Sequence, residues 1–274
     1  MIPFDLVYYR PESIQEALKA FQEADADGLK PRFLSGGTEL VTMARDNKIT
    51  ARAFIDLKRL PETQVLDMQD RELRIGACVT LNRVIEENPW PLLSTAARGV
   101  ADHSVRNTVT LGGNVAGMLP YREALLPFLV AGGGVEIAGP AGTRSVPVRE
   151  IFDKRLKLAA GEFLLALTVD REELQRRHFH GRRTKDARVD YPLVSLSMAA
   201  REKGITAAVS GAAAYPILDA GLNAALSGAG SAADRAEQAA DALAGSIRGD
   251  MRGSAEYRRF LLADTLREGL EELG

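Results

Sequence analysis

Apolar residues return at helical spacing near the start of the chain. Ile14, Ala17, Leu18 and Phe21 fall at i, i+3, i+4 and i+7, which is one stripe of a helix. Ser13-Ile14-Gln15-Glu16 opens that helix as a capping box, the serine hydroxyl accepting from the third helical N–H and Glu16 reaching back to the cap. Gly28 ends the segment. Arg32-Phe33-Leu34 reads as a short strand, Ser35-Gly36-Gly37 as a turn, Thr38 to Arg45 as the helix it opens, and Ala53 to Leu57 as a buried strand. Residues 1–57 are therefore expected to form a small α/β unit.

Beyond it the pattern alternates less regularly. Glu72 to Gly76 and Ala77 to Val79 suggest strand; Thr80 caps a helix over Leu81 to Glu87; a second helix runs from Trp90-Pro91 to Val100. Val105 to Gly117 follows neither period. A helix over Glu123 to Leu129 precedes strands at Val135 to Ala138, Arg144 to Val148 and Phe163 to Val169, so residues 58–170 read as an α+β part. From residue 171 the texture changes to small-residue strands, Leu193 to Arg201 and Thr206 to Ala214, joined by a Lys203-Gly204 turn. Helical patterns follow over Ile217 to Leu226, Ala232 to Ala244 and Ser254 to Leu270. Residues 171–274 are expected to be a third unit of antiparallel strands and helices, with no internal repeat and no long linker.

Composition narrows the chemistry. The 274 residues are 46% apolar and 26% charged, ordinary for a globular chain and too apolar for disorder. With 35 basic against 37 acidic residues there is no global pull toward nucleic acid or an anionic membrane. No apolar run reaches the ~20 residues that span a bilayer. Met-Ile-Pro-Phe-Asp-Leu lacks a basic n-region and an apolar h-region, so the expectation is no signal peptide and a cytoplasmic protein. The single cysteine, Cys78, excludes a disulfide, a four-cysteine zinc site or an iron–sulfur cluster held within this chain, and reads as buried and inert.

Two double glycines carry the chemical content. One is Phe33-Leu34-Ser35-Gly36-Gly37-Thr38-Glu39-Leu40, a strand, turn and helix; the other is Thr110-Leu111-Gly112-Gly113-Asn114. Glycine permits positive φ and lets N–H groups approach a ligand. Successive N–H groups form an anion nest, and a helix N-terminus adds a positive dipole end. Two such segments meeting in space would clamp a diphosphate, with the hydroxyls of Ser35, Thr38 and Thr110 as further donors. Double glycines also serve as ordinary turns. Neither G-x-G-x-x-G nor G-x-x-x-x-G-K-[ST] occurs, which removes the Rossmann and P-loop readings.

These segments, with Ile55-Asp56-Leu57, Leu73-Arg74-Ile75-Gly76-Ala77 and the terminal Gly253-Ser254-Ala255-Glu256-Tyr257-Arg258-Arg259, resemble in order and spacing the FAD-binding medium subunit of molybdenum hydroxylases. That family includes the flavin domains of xanthine dehydrogenase and aerobic carbon monoxide dehydrogenase. The resemblance implies an α+β fold: a two-part FAD domain of the vanillyl-alcohol-oxidase type, then the family's C-terminal domain. It implies FAD in the cleft between the two parts, its diphosphate on Phe33 to Leu40 and on Thr110, Gly112, Gly113 and Asn114. Glu123 would stand where the family's aspartate holds the ribose, and Leu165 near the adenine, although a core leucine reads equally well there.

Two departures follow. Val100 occupies the place of an aromatic ring beside the isoalloxazine, which leaves Tyr191 as the stacking candidate. In place of a lysine near the flavin pyrimidine ring come His178 or Arg182-Arg183; Arg183 or Lys185 could supply the cation that favours reduced flavin. The run Arg176 to Arg188 reads equally as a solvated loop or docking surface. His178 and His180 would share a strand face but lack a third metal ligand, and His103 beside Asp102 reads as a surface pair.

The implied function is electron transfer: [2Fe–2S] clusters of a small subunit would pass electrons from a molybdopterin-binding large subunit to this flavin. The flavin would hand them to NAD⁺, a quinone or O₂. Two other readings stay open: a flavin-free scaffold subunit of the same complex, and a stand-alone flavin oxidoreductase.

Overall fold

The computed structural model describes residues 2–186 and 189–274. Its first elements are β1 (Val7–Tyr9), α1 (Ile14–Ala26), β2 (Arg32–Leu34), α2 (Thr38–Arg45) and β3 (Ala53–Asp56). The three strands pair in parallel in the order β1-β3-β2. β1 is absent from the sequence reading because its three residues are mostly exposed and show no alternation. Ser13 Oγ accepts from Glu16 N at 3.2 Å, whereas Glu16 reaches back to Glu12 N at 2.9 Å, one residue before the cap. Ala17 is buried and Ile14, Leu18 and Phe21 pack partly buried beside it, as the stripe requires.

Next come β4 (Leu66–Gln69), β5 (Glu72–Gly76), α3 (Leu81–Glu87), α4 (Pro91–Arg98), α5 (His103–Arg106), α6 (Leu111–Ala116) and α7 (Leu125–Ala131). They continue with β6 (Gly134–Gly139), β7 (Gly142–Pro147), α8 (Val148–Ile151), β8 (Phe152–Asp153), β9 (Arg155–Leu156), β10 (Phe163–Asp170) and α9 (Arg171–Leu174). One antiparallel sheet is built in the order β4-β5-β10-β6-β7. The expected strand at Ala77 to Val79 is not there. Those residues form a turn: Ala77 N still bonds Leu165 O of β10, but Ala77 O and Val79 O take Gly112 N and Leu111 N of α6. The stretch Val105 to Gly117, which follows neither period, holds the end of the short helix α5 and all of α6. Helices this short show less than two turns of pattern.

The last elements are β11 (His178–Thr184), β12 (Pro192–Arg201), β13 (Gly204–Ser210), α10 (Ala220–Leu226), α11 (Ala232–Ala242) and α12 (Ala255–Leu273). β11, β12 and β13 form an antiparallel sheet in that order, covered by α12. The basic run is thus mostly strand rather than loop, up to Thr184; Arg188 lies outside the described residues. β13 stops at Ser210, short of Ala214, and Ile217 precedes α10 as a bridge to Val209. Across this boundary α7 packs on β12 and β13, and Arg201 bonds both Glu173 and the Val130 carbonyl. No helix among the described residues is long and apolar enough to cross a membrane.

Candidate functional site

The two glycine segments, far apart in sequence, lie against each other. Gly36 N donates to Thr110 Oγ1 at 3.3 Å, and the Ser35 and Thr110 hydroxyls are 2.7 Å apart. A Cβ on Gly36 would lie 2.1 Å from the Thr108 carbonyl oxygen, and one on Gly112 2.5 Å from Ala77 Cβ. Close approach therefore explains these two glycines. Positive φ explains only one of the four: Gly37, at 80°, which starts α2.

The two halves are not alike. α6 caps itself: Thr110 Oγ1 accepts from Gly113 N at 3.2 Å. With two N–H groups directed at that oxygen, the Thr110 proton goes to Ser35 Oγ, and Ser35 donates onward to Ala77 O or Cys78 Sγ, each at 3.1 Å. Both hydroxyls thus face inward and pin the segments together, rather than serving as the outward donors that the sequence suggested. α2 has no side-chain cap on Gly37, and its first intrahelical bond is Val41 N to Gly37 O at 2.9 Å. The N–H groups opening α2 form the uncapped, positive end of a helix pinned beside a second backbone segment. That is a cradle for an anion made from main chain, and it fits a dinucleotide's diphosphate.

Side chains around the cradle hold its shape. Glu39 accepts from Met118 N at 3.0 and 3.2 Å, which fastens α2 to the stretch after α6. Asn114 Oδ1 accepts from Ala124 N at 3.1 Å. Phe33 stacks on Phe21 at 4.9 Å and meets Phe163 at 4.6 Å; Leu34 is buried, and Leu40 packs partly buried behind α2. Cys78 is buried, and burial pushes its thiol pKa up.

The other expected contacts lie elsewhere. Glu123 is 3% exposed and bonds Arg182 Nε at 2.8 Å; burial raises its pKa, against the opposing pull of that guanidinium. Its side chain turns onto β11 and forms a buried ion pair there. Leu165 is 2% exposed and sits in a core cluster with Ala17, Ile55 and Cys78, so its side chain is a core leucine. Strand alternation separates the arginine pair. Arg182 faces Glu123, while Arg183 turns onto α12, 2.6 Å from Glu268 and 3.6 Å from Asp264. Asp102 caps α5 through Val105 N at 2.8 Å, so it does not work with His103. No metal-holding group of His, Cys, Asp and Glu exists among the described residues.

Tyr191 is 51% exposed and stacks on Tyr121, centroids 4.5 Å apart and planes at 13°. Arg252 lies over Tyr191 at 5.8 Å and Arg248 over Tyr121 at 5.9 Å. Sequence reasoning missed Tyr121, Arg248 and Arg252, since nothing in the spacing links positions so far apart. It also missed Arg122, which is 3% exposed and donates to Lys154 O at 2.6 Å; burial drops its pKa to about 10.

Comparison with known proteins decides the ancestry. The family described as the FAD binding domain in molybdopterin dehydrogenase matches residues 3–170. The chain belongs to that family. The CO dehydrogenase flavoprotein C-terminal domain matches residues 184–273, further along the chain. The medium chain of carbon monoxide dehydrogenase from Hydrogenophaga pseudoflava is 30% identical over 156 residues, 56% of this chain and 53% of that one. The xanthine dehydrogenase FAD-binding subunit of Escherichia coli O157:H7 is 28% identical over 146 residues, 52% of this chain and 49% of that one. The aligned part thus spans about half the length of these relatives. Among solved structures, carbon monoxide dehydrogenase from Hydrogenophaga pseudoflava superposes with a TM-score of 0.87 at 24% identity, covering 100% of this chain and 98% of its counterpart, which shows a shared fold. FAD is the cofactor that goes with this family.

Proposed function

We propose that this chain is the FAD-carrying electron-transfer subunit of a molybdenum hydroxylase, in the cytoplasm. Bound FAD supplies a ring that accepts and releases electrons one or two at a time. The protein's task is then to hold, shield and tune that ring. The backbone of Phe33, Leu34, Ser35, Gly36, Gly37, Thr38, Glu39 and Leu40 and of Thr110, Gly112, Gly113 and Asn114 holds the diphosphate. Tyr191 would be the aromatic side chain beside the ring, with Tyr121 stacked on it. Glu123, Leu165 and Arg183 act from behind, through the ion pairs and core packing described above.

The family membership suggests the partners: [2Fe–2S] clusters on a small subunit, fed by a molybdopterin-binding large subunit, deliver the electrons, and the single cysteine of this chain is compatible with that division. NAD⁺, a quinone or O₂ takes them on. Three parts, 1–57, 58–170 and 171–274, divide this work: the first two carry one glycine segment each and the third brings Tyr191.

The observation that carries this reading is the contact between the two glycine segments beside an uncapped helix start. The purified chain is expected to be yellow and to hold FAD near one to one. A colourless chain that cannot be reconstituted with FAD would overturn it and favour a flavin-free scaffold. Sustained turnover with NADH, without partner subunits, would instead point to a stand-alone oxidoreductase.

A further inference from the structure

The parallel sheet β1-β3-β2 ends in a line of polar contacts at the edge where ligands of such sheets gather, outside the carboxyl ends of the strands. Ser35 follows the last residue of β2, and Asp56 is the last residue of β3. Tyr8, on β1, donates its hydroxyl to Asp56 Oδ2. The other carboxylate oxygen, Oδ1, takes Lys58 N at 2.9 Å and Lys58 Nζ at 2.7 Å. Lys58 Nζ also donates to the Ser35 carbonyl at 3.0 Å. The Asp56 side chain is 5% exposed and the Lys58 side chain 42%. An ammonium has three N–H donors, and the carboxylate and the carbonyl take two. The third is left for an acceptor at the open surface, on the loop that carries Gly36 and Gly37.

We propose that Lys58 is the cation of the dinucleotide site, set against the phosphates of bound FAD and aimed by Asp56 with Tyr8 behind it. This rests on the flavin reading above. The glycine segments bring only backbone dipoles to a ligand group that carries full negative charge. Glu39, in the first turn of α2, adds a like charge nearby. The arginines that the sequence suggested are engaged elsewhere, Arg182 with Glu123 and Arg183 with Glu268. Lys58 is the ammonium hydrogen-bonded to the glycine loop itself. Asp56 is nearly sealed from solvent and is itself held by the Tyr8 hydroxyl and Lys58 N, so it fixes the ammonium instead of letting it wander as surface lysines do.

The test is fluorescence titration of the full-length apo chain with FAD and with riboflavin, which has no phosphate, at about 0.02 M and 0.2 M salt, where screening differs strongly. Lys58→Met should weaken FAD binding at low salt by about ten- to a hundredfold, the scale of a charge-assisted hydrogen bond. It should also flatten the salt dependence and leave riboflavin binding unchanged. Lys58→Gln keeps a donor for the Ser35 carbonyl without the charge and should behave like Lys58→Met; Lys58→Arg should recover most of the affinity. Tyr8→Phe should give a smaller loss of the same kind. Wild-type affinity and salt slope in Lys58→Met or Lys58→Gln would overturn the proposal while the flavin reading stood. Equal losses of FAD and riboflavin would overturn it in favour of a purely structural lysine. A wild-type chain that takes up no FAD would overturn the flavin reading, and this proposal with it.

Discussion

Each glycine of the first segment has its own physical reason, and the reasons predict different damage. Gly36 lacks room: a Cβ there meets the backbone oxygen of Thr108 at 2.1 Å, which cannot yield without parting the segments. Gly37 lacks conformational choice: its φ is 80°, and the tightest contact of a Cβ would be a side-chain methyl of Leu34 at 2.9 Å, not backbone. Gly36→Ala should therefore cost about 1–3 kcal/mol and remove bound FAD. Gly37→Ala should cost about 1 kcal/mol and weaken FAD retention without abolishing it. Urea denaturation with flavin content per chain checks this, and the reverse order would refute the contact described. The glycines were visible in the sequence, but the reason for Gly36 was not, because its obstacle lies on a distant part of the chain. The same holds for Ser35 and Thr110. Their hydroxyls were legible as polar groups beside glycine, and only the fold shows them bonded to each other.

At the level of elements, β11 shows what a strand does to a run of basic and imidazole side chains. Alternation puts His178, His180 and Arg182 on one face, while Phe179, Gly181 and Arg183 face the other way toward α12. On the first face His180 bonds Ser197 Oγ through Nδ1 at 3.0 Å, and its Nε2 is sealed from solvent without a partner. Burial, with Arg182 and His178 nearby, lowers its pKa to about 4. The folded chain then refuses a proton that the unfolded chain accepts below about 6.5. Stability should fall as pH drops from about 6.5 through 4, by at most about 3 kcal/mol. Thermal or urea unfolding across that range, compared with His180→Asn, checks it; an unchanged acid slope in the variant would exclude His180 as the cause. The sequence showed the shared face of the two histidines. It left the run open between loop and strand because dense charge masks the alternation that marks a strand. β1 and the short helices α5 and α6 escaped for a related reason: each is too brief to display a period.

Across the whole molecule, order along the chain was readable because each motif is local, and the seams between parts were not. Glu123, expected to face a ribose, instead joins the stretch before α7 to β11 through Arg182, whose side chain is 20% exposed against 4% for the carboxylate. Arg201 makes a second seam to Glu173 and the end of α7. Removing one member of a buried pair leaves its partner's charge stranded. Arg182→Met should destabilise the chain by about 3 kcal/mol or more. Adding Glu123→Gln to it should restore part of the loss, and a double-mutant cycle measures the coupling. Strict additivity would mean that the pair does not bind the parts together.

The placement of sulfur has a consequence for a chain that carries a flavin. Reduced flavins leak electrons to oxygen, and the peroxide formed attacks thiolates first. The sole thiol here lies 2% exposed beneath the Ser35 clasp, with its acidity suppressed by burial, so the reactive anion scarcely exists. Among the described residues, the methionines with the most exposed side chains, Met118 at 60% and Met251 at 99%, carry thioethers, whose first oxidation product can be enzymatically reversed. Among the described residues, the sulfur most open to an oxidant is thus of the repairable kind.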